Sequence, residues 1–114
     1  MIRTLIASLM LALSATLAFA HSEEQGTTPA DGATVSEVPE LSMRFDDPMR
    51  IITVTLTSSD GTVEIERETG MDPDLEFRAA PATPLAPGDY TFDWRGMASD
   101  GHPMQGSFSF TVSD

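Results

Sequence analysis

Hydrophobic and polar residues alternate along most of the chain after residue 20, as they do in strands that bury one face and expose the other. The hydrophobic positions predicted to point inward are Leu41, Met43 and Phe45; Ile52, Val54 and Leu56; Val63 and Ile65; Leu75, Phe77 and Ala79; Tyr90, Phe92 and Trp94; and Phe108, Phe110 and Val112. No stretch after residue 20 has a convincing helical period. The pattern predicts an all-β domain of about seven strands, arranged as a Greek-key sandwich of two antiparallel sheets.

Two turn sequences support this fold. Ser59-Asp60-Gly61 predicts a tight turn, because glycine tolerates positive φ. In the segment Leu85–Tyr90, Pro-Gly precedes a tyrosine at the start of a strand. This order is typical of the tyrosine corner of immunoglobulin-like sandwiches, in which the phenol bonds to the backbone near the turn. Trp94 is in register with Tyr90, so we expect it in the core rather than on a binding surface.

Residues 1–20 have the pattern of a secretory signal peptide. Arg3 gives a short positive region, Leu5 to Ala20 is almost entirely apolar, and the small-residue triplet Ala18-Phe19-Ala20 closes the segment. A membrane anchor is the alternative, but the apolar run is shorter than the roughly 20 residues that a spanning helix needs. We expect cleavage after Ala20, export, and one domain over residues 21–114.

The exported domain lacks cysteine and is strongly acidic. Without cysteine it has neither disulfides nor thiolate metal ligands. The chain has 18 acidic and 6 basic residues, a formal charge of −12 that becomes −13 if Arg3 leaves with the signal peptide. Nucleic acid is not expected as a partner, because phosphate binding needs a basic face. An acidic surface attracts cations and favours a monomer, although solubility alone would account for most of these acids.

The chain has two histidines, and both lie at positions suited to chelation. Cleavage after Ala20 would make His21 the first residue, and its α-amine and Nδ1 could then bind one metal ion together. In Ser99-Asp100-Gly101-His102-Pro103, the carboxylate and the imidazole would share one face if the segment were extended. His21, Asp100 and His102 are therefore the predicted metal ligands, with three nitrogens and one oxygen.

These donor types favour Cu(II). The set contains no sulfur, which disfavours Cu(I), and nitrogen-rich tetragonal sites suit Cu(II) or Ni(II), with Cu(II) highest in the divalent affinity order. Zn(II) could enter the same ligands with a tetrahedral distortion. The plainer interpretation is that Asp-Gly forms an ordinary hairpin turn and that His21 follows the signal peptide by chance.

The sequence resembles the copper-resistance protein C (CopC) family of periplasmic copper carriers. The resemblance covers nearly all of residues 21–114 and is carried by His21, Thr28-Pro29-Ala30-Asp31-Gly32-Ala33, Leu41-Ser42-Met43-Arg44-Phe45, Leu85-Ala86-Pro87-Gly88-Asp89-Tyr90, Asp93-Trp94-Arg95, Ser99-Asp100-Gly101-His102-Pro103 and Gly106-Ser107-Phe108-Ser109-Phe110. It implies a cupredoxin-like or immunoglobulin-like sandwich that binds Cu(II) through His21, Asp100 and His102. It also implies that Asp47 supports the site without binding the ion directly.

Some members of this family bind Cu(I) in a Met-rich loop. The corresponding stretch here, Leu56–Thr62, contains no methionine, so the resemblance implies a Cu(II)-only member. Met43 is expected in the core, and gap filling in the core is the ordinary use of methionine. A thioether site built from methionines distant in sequence stays open, and the candidates are Met49, Met71, Met97 and Met104.

The expected function is that of a periplasmic Cu(II)-binding protein rather than an enzyme. It would sequester copper or deliver it to an inner-membrane copper transporter of the CopD type. One alternative is a histidine-brace copper enzyme of oxidative chemistry, which the Asp100 carboxylate disfavours because it stabilises Cu(II) over Cu(I). The other is a metal-free immunoglobulin-like interaction module, in which His21→Ala and His102→Ala would leave metal content unchanged.

Overall fold

The computed structural model describes residues 24–114, and within this range the chain forms strands and no helix. The strands are β1 (Glu24–Thr28), β2 (Ala33–Val35), β3 (Leu41–Ser58), β4 (Gly61–Val63), β5 (Ile65–Arg67), β6 (Asp74–Pro81), β7 (Gly88–Ala98) and β8 (Pro103–Val112). In this part of the chain there is accordingly no helix that could span a membrane. The predicted signal peptide, its cleavage point and His21 lie outside the described residues.

Strand β3 is 18 residues long and takes part in both layers of a sandwich. Its first half lies between β1 and β6, and its second half pairs with β4 and β7. Strand β6 continues the first layer to β5, and β7 continues the second to β8 and then to β2, which runs parallel to β8. Ring contacts across the interior join the layers, with centroids 5.4 Å apart for Phe45 and Trp94 and 6.4 Å apart for Phe77 and Phe92.

The core lies between these layers and consists of the inward positions of β3, β6, β7 and β8, together with Val38 from the segment between β2 and β3. Its buried hydrophobic members are Val38, Leu41, Met43, Phe45, Met49, Ile51, Leu56, Phe77, Ala79, Tyr90, Phe92, Trp94, Ala98, Phe108, Phe110 and Val112. Alternating burial along the strands confirms the all-β sandwich prediction. Trp94 is only 2% exposed, which confirms its prediction as a core residue.

Two predicted inward residues point outward, and both lie at breaks in strand pairing. The register of β3 against β7 shifts between Ile51 and Thr53, so one extra residue enters β3. This bulge buries Ile51 and leaves Ile52 41% exposed. Leu75 is 48% exposed and lies where the pairing of β6 with β3 is interrupted, between Asp74 and Glu76. The prediction that Ile52 and Leu75 face the core was wrong for this reason.

The run around Val63 and Ile65 forms two strands instead of one, which is why the count is eight rather than about seven. The three residues of β4 pair with β3 in the second layer, and those of β5 pair with β6 in the first. The chain therefore passes from one layer to the other at Glu64. Val63 and Ile65 both pack against the core from its edge, as their alternation predicts.

Two sequence motifs have structural roles. The Tyr90 hydroxyl donates a hydrogen bond to the carbonyl of Ala86 at 2.5 Å, which confirms the tyrosine corner. In the early turn, the Asp31 carboxylate accepts a hydrogen bond from the backbone N–H of Ser109 at 2.9 Å. Gly32 lies beside it, with φ of +83°, and donates to the Ser109 carbonyl at 2.7 Å. These bonds attach the turn between β1 and β2 to β8.

Candidate metal centre

The hairpin between β7 and β8 carries the predicted pair Asp100 and His102. Its turn is closed by hydrogen bonds from the Ala98 N–H to the His102 carbonyl and from the Gly101 N–H to the Ala98 carbonyl, each 2.9 Å long. Gly101 has φ of +90°, a conformation that side chains disfavour, so glycine suits this position. The turn is anchored by ten paired positions of β7 and β8, from Gly88 opposite Val112 to Met97 opposite Pro103.

Asp100 and His102 contact each other in two ways. One carboxylate oxygen, Oδ1, accepts the backbone N–H of His102 at 3.1 Å, and the other, Oδ2, lies 2.7 Å from the imidazole Nδ1. Both side chains are exposed, by 63% for Asp100 and 75% for His102. The hydrogen bond from the His102 backbone, followed by that from its ring, lowers the pKa of Asp100. Asp100 is therefore a carboxylate at neutral pH.

The reason for this proximity differs from the one expected. We predicted that Asp100 and His102 meet because they alternate onto one face of an extended strand. They lie instead in the turn, after the end of β7 and before the start of β8. The positive φ of Gly101 bends the chain, and the backbone hydrogen bond between the two residues brings the side chains together. The Asp-Gly sequence is thus a hairpin turn, as the plainer interpretation held, and it also pairs two donors.

The separation of these donors fits a shared metal ion. Ligands about 2.0 Å from an ion and at right angles to each other lie about 2.8 Å apart. The Oδ2–Nδ1 separation of 2.7 Å is that of the hydrogen bond between the two groups, and an ion that replaced the shared proton would find the donors at nearly this edge length. Residues 24–114 contain no cluster of three or more His, Asp or Glu side chains placed to hold a metal ion. The described chain therefore supplies two donors, and the role of His21 stays a prediction.

The beginning of β1 and the hairpin lie toward the same end of the sandwich. Glu24 is opposite Phe45 in the antiparallel pair of β1 and β3. Four residues further along β3, Met49 is opposite Ala98, the last residue of β7. Asp47 lies in this intervening stretch of β3, and its support of the site stays a prediction.

Arg67 is a positioning residue that sequence reasoning did not identify. Its guanidinium donates to the carbonyl of Ile51 at 2.7 Å and to that of Ile52 at 3.2 Å, at the bulge of β3. It also donates to the carbonyls of Thr69 and Gly70 and lies 5.1 Å from the centroid of the Phe77 ring. Arg67 thereby fastens the loop between β5 and β6 to the bulge. A single arginine in an alternating strand gives no signal of such a role.

The methionines occupy different environments. Met43 and Met49 are buried, and Met104 packs against the core from its edge, so the prediction for Met43 is confirmed. Met71 and Met97 are 52% and 39% exposed. Met97 therefore presents its side chain on the outer face of β7, next to the hairpin.

The family model of the CopC domain matches residues 25–113. The chain belongs to the CopC family. This CopC chain is 31% identical over 121 residues to copper resistance protein C of Pseudomonas syringae pv. tomato, covering 96% of this chain and 92% of that protein. It is 29% identical over 126 residues to copper resistance protein C of Xanthomonas campestris pv. juglandis, covering 97% and 94%.

Among solved structures, the fold is similar to that of PcoC, a methionine-rich copper resistance protein from Escherichia coli, with a TM-score of 0.69. The sequences are 27% identical, and the similarity covers 82% of this chain and all of PcoC. Fold and sequence thus both agree with membership of the CopC family.

Proposed function

We propose that this CopC chain is an exported copper-resistance protein that binds one Cu(II) ion through His21, Asp100 and His102. Cleavage after Ala20 would leave residues 21–114 as the periplasmic protein. The observation that carries the proposal is the exposed pair of donors on the hairpin, with Asp100 Oδ2 and His102 Nδ1 2.7 Å apart. Because the relatives are named copper resistance proteins, we propose copper as the ion that this donor pair binds.

The direction of β1 supports His21 as the third ligand residue. Glu24 is the first residue of β1, and three residues separate it from the predicted cleavage point, a stretch that can span at most about 10 Å. Because β1 is antiparallel to β3, the amino-terminal end of β1 faces the part of β3 that leads to Met49, whose neighbour across the sheet is Ala98 at the base of the hairpin. We therefore propose that the new amino terminus lies within reach of Asp100 and His102. Its amine has an ordinary pKa of about 7.7–8.0, low enough for Cu(II) to displace the proton near neutral pH.

The acidic character of this end supports capture of a cation. Asp46 and Asp47 are exposed in β3, and Asp74 is opposite Met49 at the start of β6. Together with Asp100 they create a negative field that raises the local cation concentration and the association rate. Asp47 contributes to this field, and in this role it would support the site without a bond to the ion.

The donor set supports binding of Cu(II) rather than oxidative catalysis. Imidazole and carboxylate ligands suit Cu(II), whereas Cu(I) is favoured by sulfur. An anionic ligand such as Asp100 stabilises the higher oxidation state, and this opposes cycling between the two. We propose that the protein is a carrier that sequesters Cu(II) or releases it to an inner-membrane copper transporter of the CopD type, and its strong negative charge supports a monomer.

A comparison of amino termini tests this proposal. Protein beginning at His21 should bind one Cu(II) with a tetragonal electron paramagnetic resonance signature. A matched version with one methionine before His21 keeps every side chain but displaces the α-amine from its chelate ring. Loss of a direct ligand should weaken binding by at least about 100-fold, since even supporting groups contribute 10–100-fold. Affinity would be measured by competition with a chelator of known strength.

Four outcomes would contradict the proposal. Equal affinity of the two forms would remove His21 from the site, and unchanged affinity after His102→Ala would remove the hairpin. Intact mass and metal content of protein exported by its own signal provide a separate check. A mass that does not begin at His21, or the absence of copper at one ion per chain, would refute the proposed processing or cargo.

A further inference from the structure

An outer groove lies on the second layer beside the hairpin. We define it by Ile52 on β3, Arg95 and Met97 on β7, and Pro103 and Gln105 on β8, which line a cleft of about 430 Å³. Ile52 and Met97 are 41% and 39% exposed, and each belongs to the small set of large hydrophobic side chains exposed within residues 24–114. The bulge that turns Ile52 outward therefore gives this groove much of its apolar surface.

The groove is bordered by two arginines that lack acidic partners among the described residues. Arg95 lines the groove, and Arg50 is directly opposite Met97 in the pair of β3 and β7, so both arginines lie beside the apolar surface. Arg44 and Arg78, in contrast, form ion pairs with Glu76. Asp93 lies two residues before Arg95 on the same face of β7, but the lining of the outer groove itself contains no acidic residue. In a chain with 18 acidic residues, such a surface is locally unusual.

We propose that the outer groove is a docking surface for a segment of a partner protein that presents an apolar side chain flanked by carboxylates. The apolar side chain would cover Ile52 and Met97, and the carboxylates would pair with Arg50 and Arg95. Exposed arginines and methionine are typical of protein interfaces. Because β7 continues from Met97 into the hairpin, a docked partner lies beside Asp100 and His102. The transfer role of this surface rests on the proposed copper-binding function.

Charge favours such a partner over a second copy or a membrane. In a symmetric dimer through the groove, the same surface would face itself and bring arginines against arginines. An anionic lipid surface would be repelled by the rest of the molecule, whose full chain has a formal charge of −12. A short acidic and apolar segment would contact the groove and its arginines alone, and so would bring less negative charge against the acidic remainder of the molecule than an extended lipid surface.

Site-specific photo-crosslinking tests the surface in the exporting cell. A benzophenone amino acid would replace Met97, with a matched probe at Thr91, which lies six residues earlier on β7. We expect a protein adduct from position 97 in at least about tenfold greater yield. Mass spectrometry should place the crosslink in a segment that has Asp or Glu next to an apolar residue. An adduct only with this chain, an adduct only with lipid, equal yields at both positions, or no adduct would overturn the proposal.

Charge reversal separates docking from copper binding. With the probe at position 97, Arg50→Glu and Arg95→Glu together should lower the adduct yield at least about tenfold, since like charges oppose association. Thr91→Glu, the matched control, should leave the yield unchanged. Chelator competition should show that the double variant binds Cu(II) at least as tightly as the unsubstituted protein. An unchanged adduct would refute the docking surface, whereas a normal adduct from protein that binds no Cu(II) would refute the proposed function alone.

Discussion

Strands β7 and β8 approach each other closely at Gly106, and Gly106→Ala should destabilise the protein. Gly106 is opposite Trp94 in the pair of β7 and β8. An added Cβ would lie 2.8 Å from the indole Nε1 and 3.0 Å from Cε2 and Cζ2. The indole is 2% exposed and packs edge-on against Phe45, so it has little freedom to move away.

The size of the effect follows from this crowding. Overpacking of a well-packed core by one methyl group typically costs about 1–3 kcal/mol. For a domain of this size, each kcal/mol lowers Tm by about 4–8 °C. Loss of glycine also reduces the freedom of the unfolded chain and stabilises by about 0.4–1 kcal/mol. The net expectation is a decrease in the free energy of unfolding of about 1–2 kcal/mol, consistent with these two ranges.

Gly26→Ala is the matched control, because an added Cβ at Gly26 in β1 would have no atom within 4 Å. It measures the effect of alanine on the unfolded chain without the collision. Urea denaturation followed by the fluorescence of the single tryptophan would give both free energies of unfolding. If Gly106→Ala were as stable as Gly26→Ala, the contact with the indole would not limit this position, and the packing argument would be wrong.

Three further substitutions test other contacts. Tyr90→Phe removes the hydroxyl that bonds to the Ala86 carbonyl, so urea denaturation should show a loss of about 1–2 kcal/mol, and an unchanged midpoint would contradict the stabilising role of the corner. Arg67→Lys keeps the charge, but a lysine cannot donate to all four carbonyls that the guanidinium contacts. We expect the free energy of unfolding to fall by about 1–3 kcal/mol in urea denaturation. Full stability would show that the positive charge alone suffices. Asp100→Asn preserves an acceptor for the His102 N–H but removes the anionic ligand. Chelator competition should show a Cu(II) affinity at least about tenfold lower, while the denaturation midpoint stays unchanged. Equal affinity would exclude the carboxylate as a ligand.

Alternation of hydrophobic residues predicted most of the fold because the sandwich buries one face of each long strand. It failed at Ile52 because a bulge inserts one residue, which reverses the direction of the side chains on one side of it. Nothing in a run of alternating threonines and aliphatic residues marks where that residue enters. The tyrosine corner was predictable because its bond from Tyr90 to Ala86 spans only four residues and depends on a local turn.

The donor pair of the candidate site was predictable for a similar reason of locality. Asp100 and His102 are two residues apart, so either an extended or a turned segment can bring their side chains together. The sequence could not distinguish these conformations, because the same Gly101 fits both. The outer groove was beyond prediction, since it joins residues of β3, β7 and β8 and depends on the unforeseen outward position of Ile52.

The hairpin, the groove and the Trp94–Gly106 contact all include residues of β7 and β8, yet they should respond to substitution separately. Gly106→Ala changes the population of folded protein, and the affinity of the folded fraction for Cu(II) should stay the same because the hairpin pair is exposed and formed locally. Asp100→Asn should change Cu(II) affinity without changing stability, and reversal of the groove arginines should change partner adducts alone. Since ten paired positions connect these regions in one rigid ribbon, a variant that alters two of the three measurements would reveal energetic coupling along it. Measurement of stability, affinity and adduct yield on each variant therefore distinguishes independent sites from a ribbon that transmits strain.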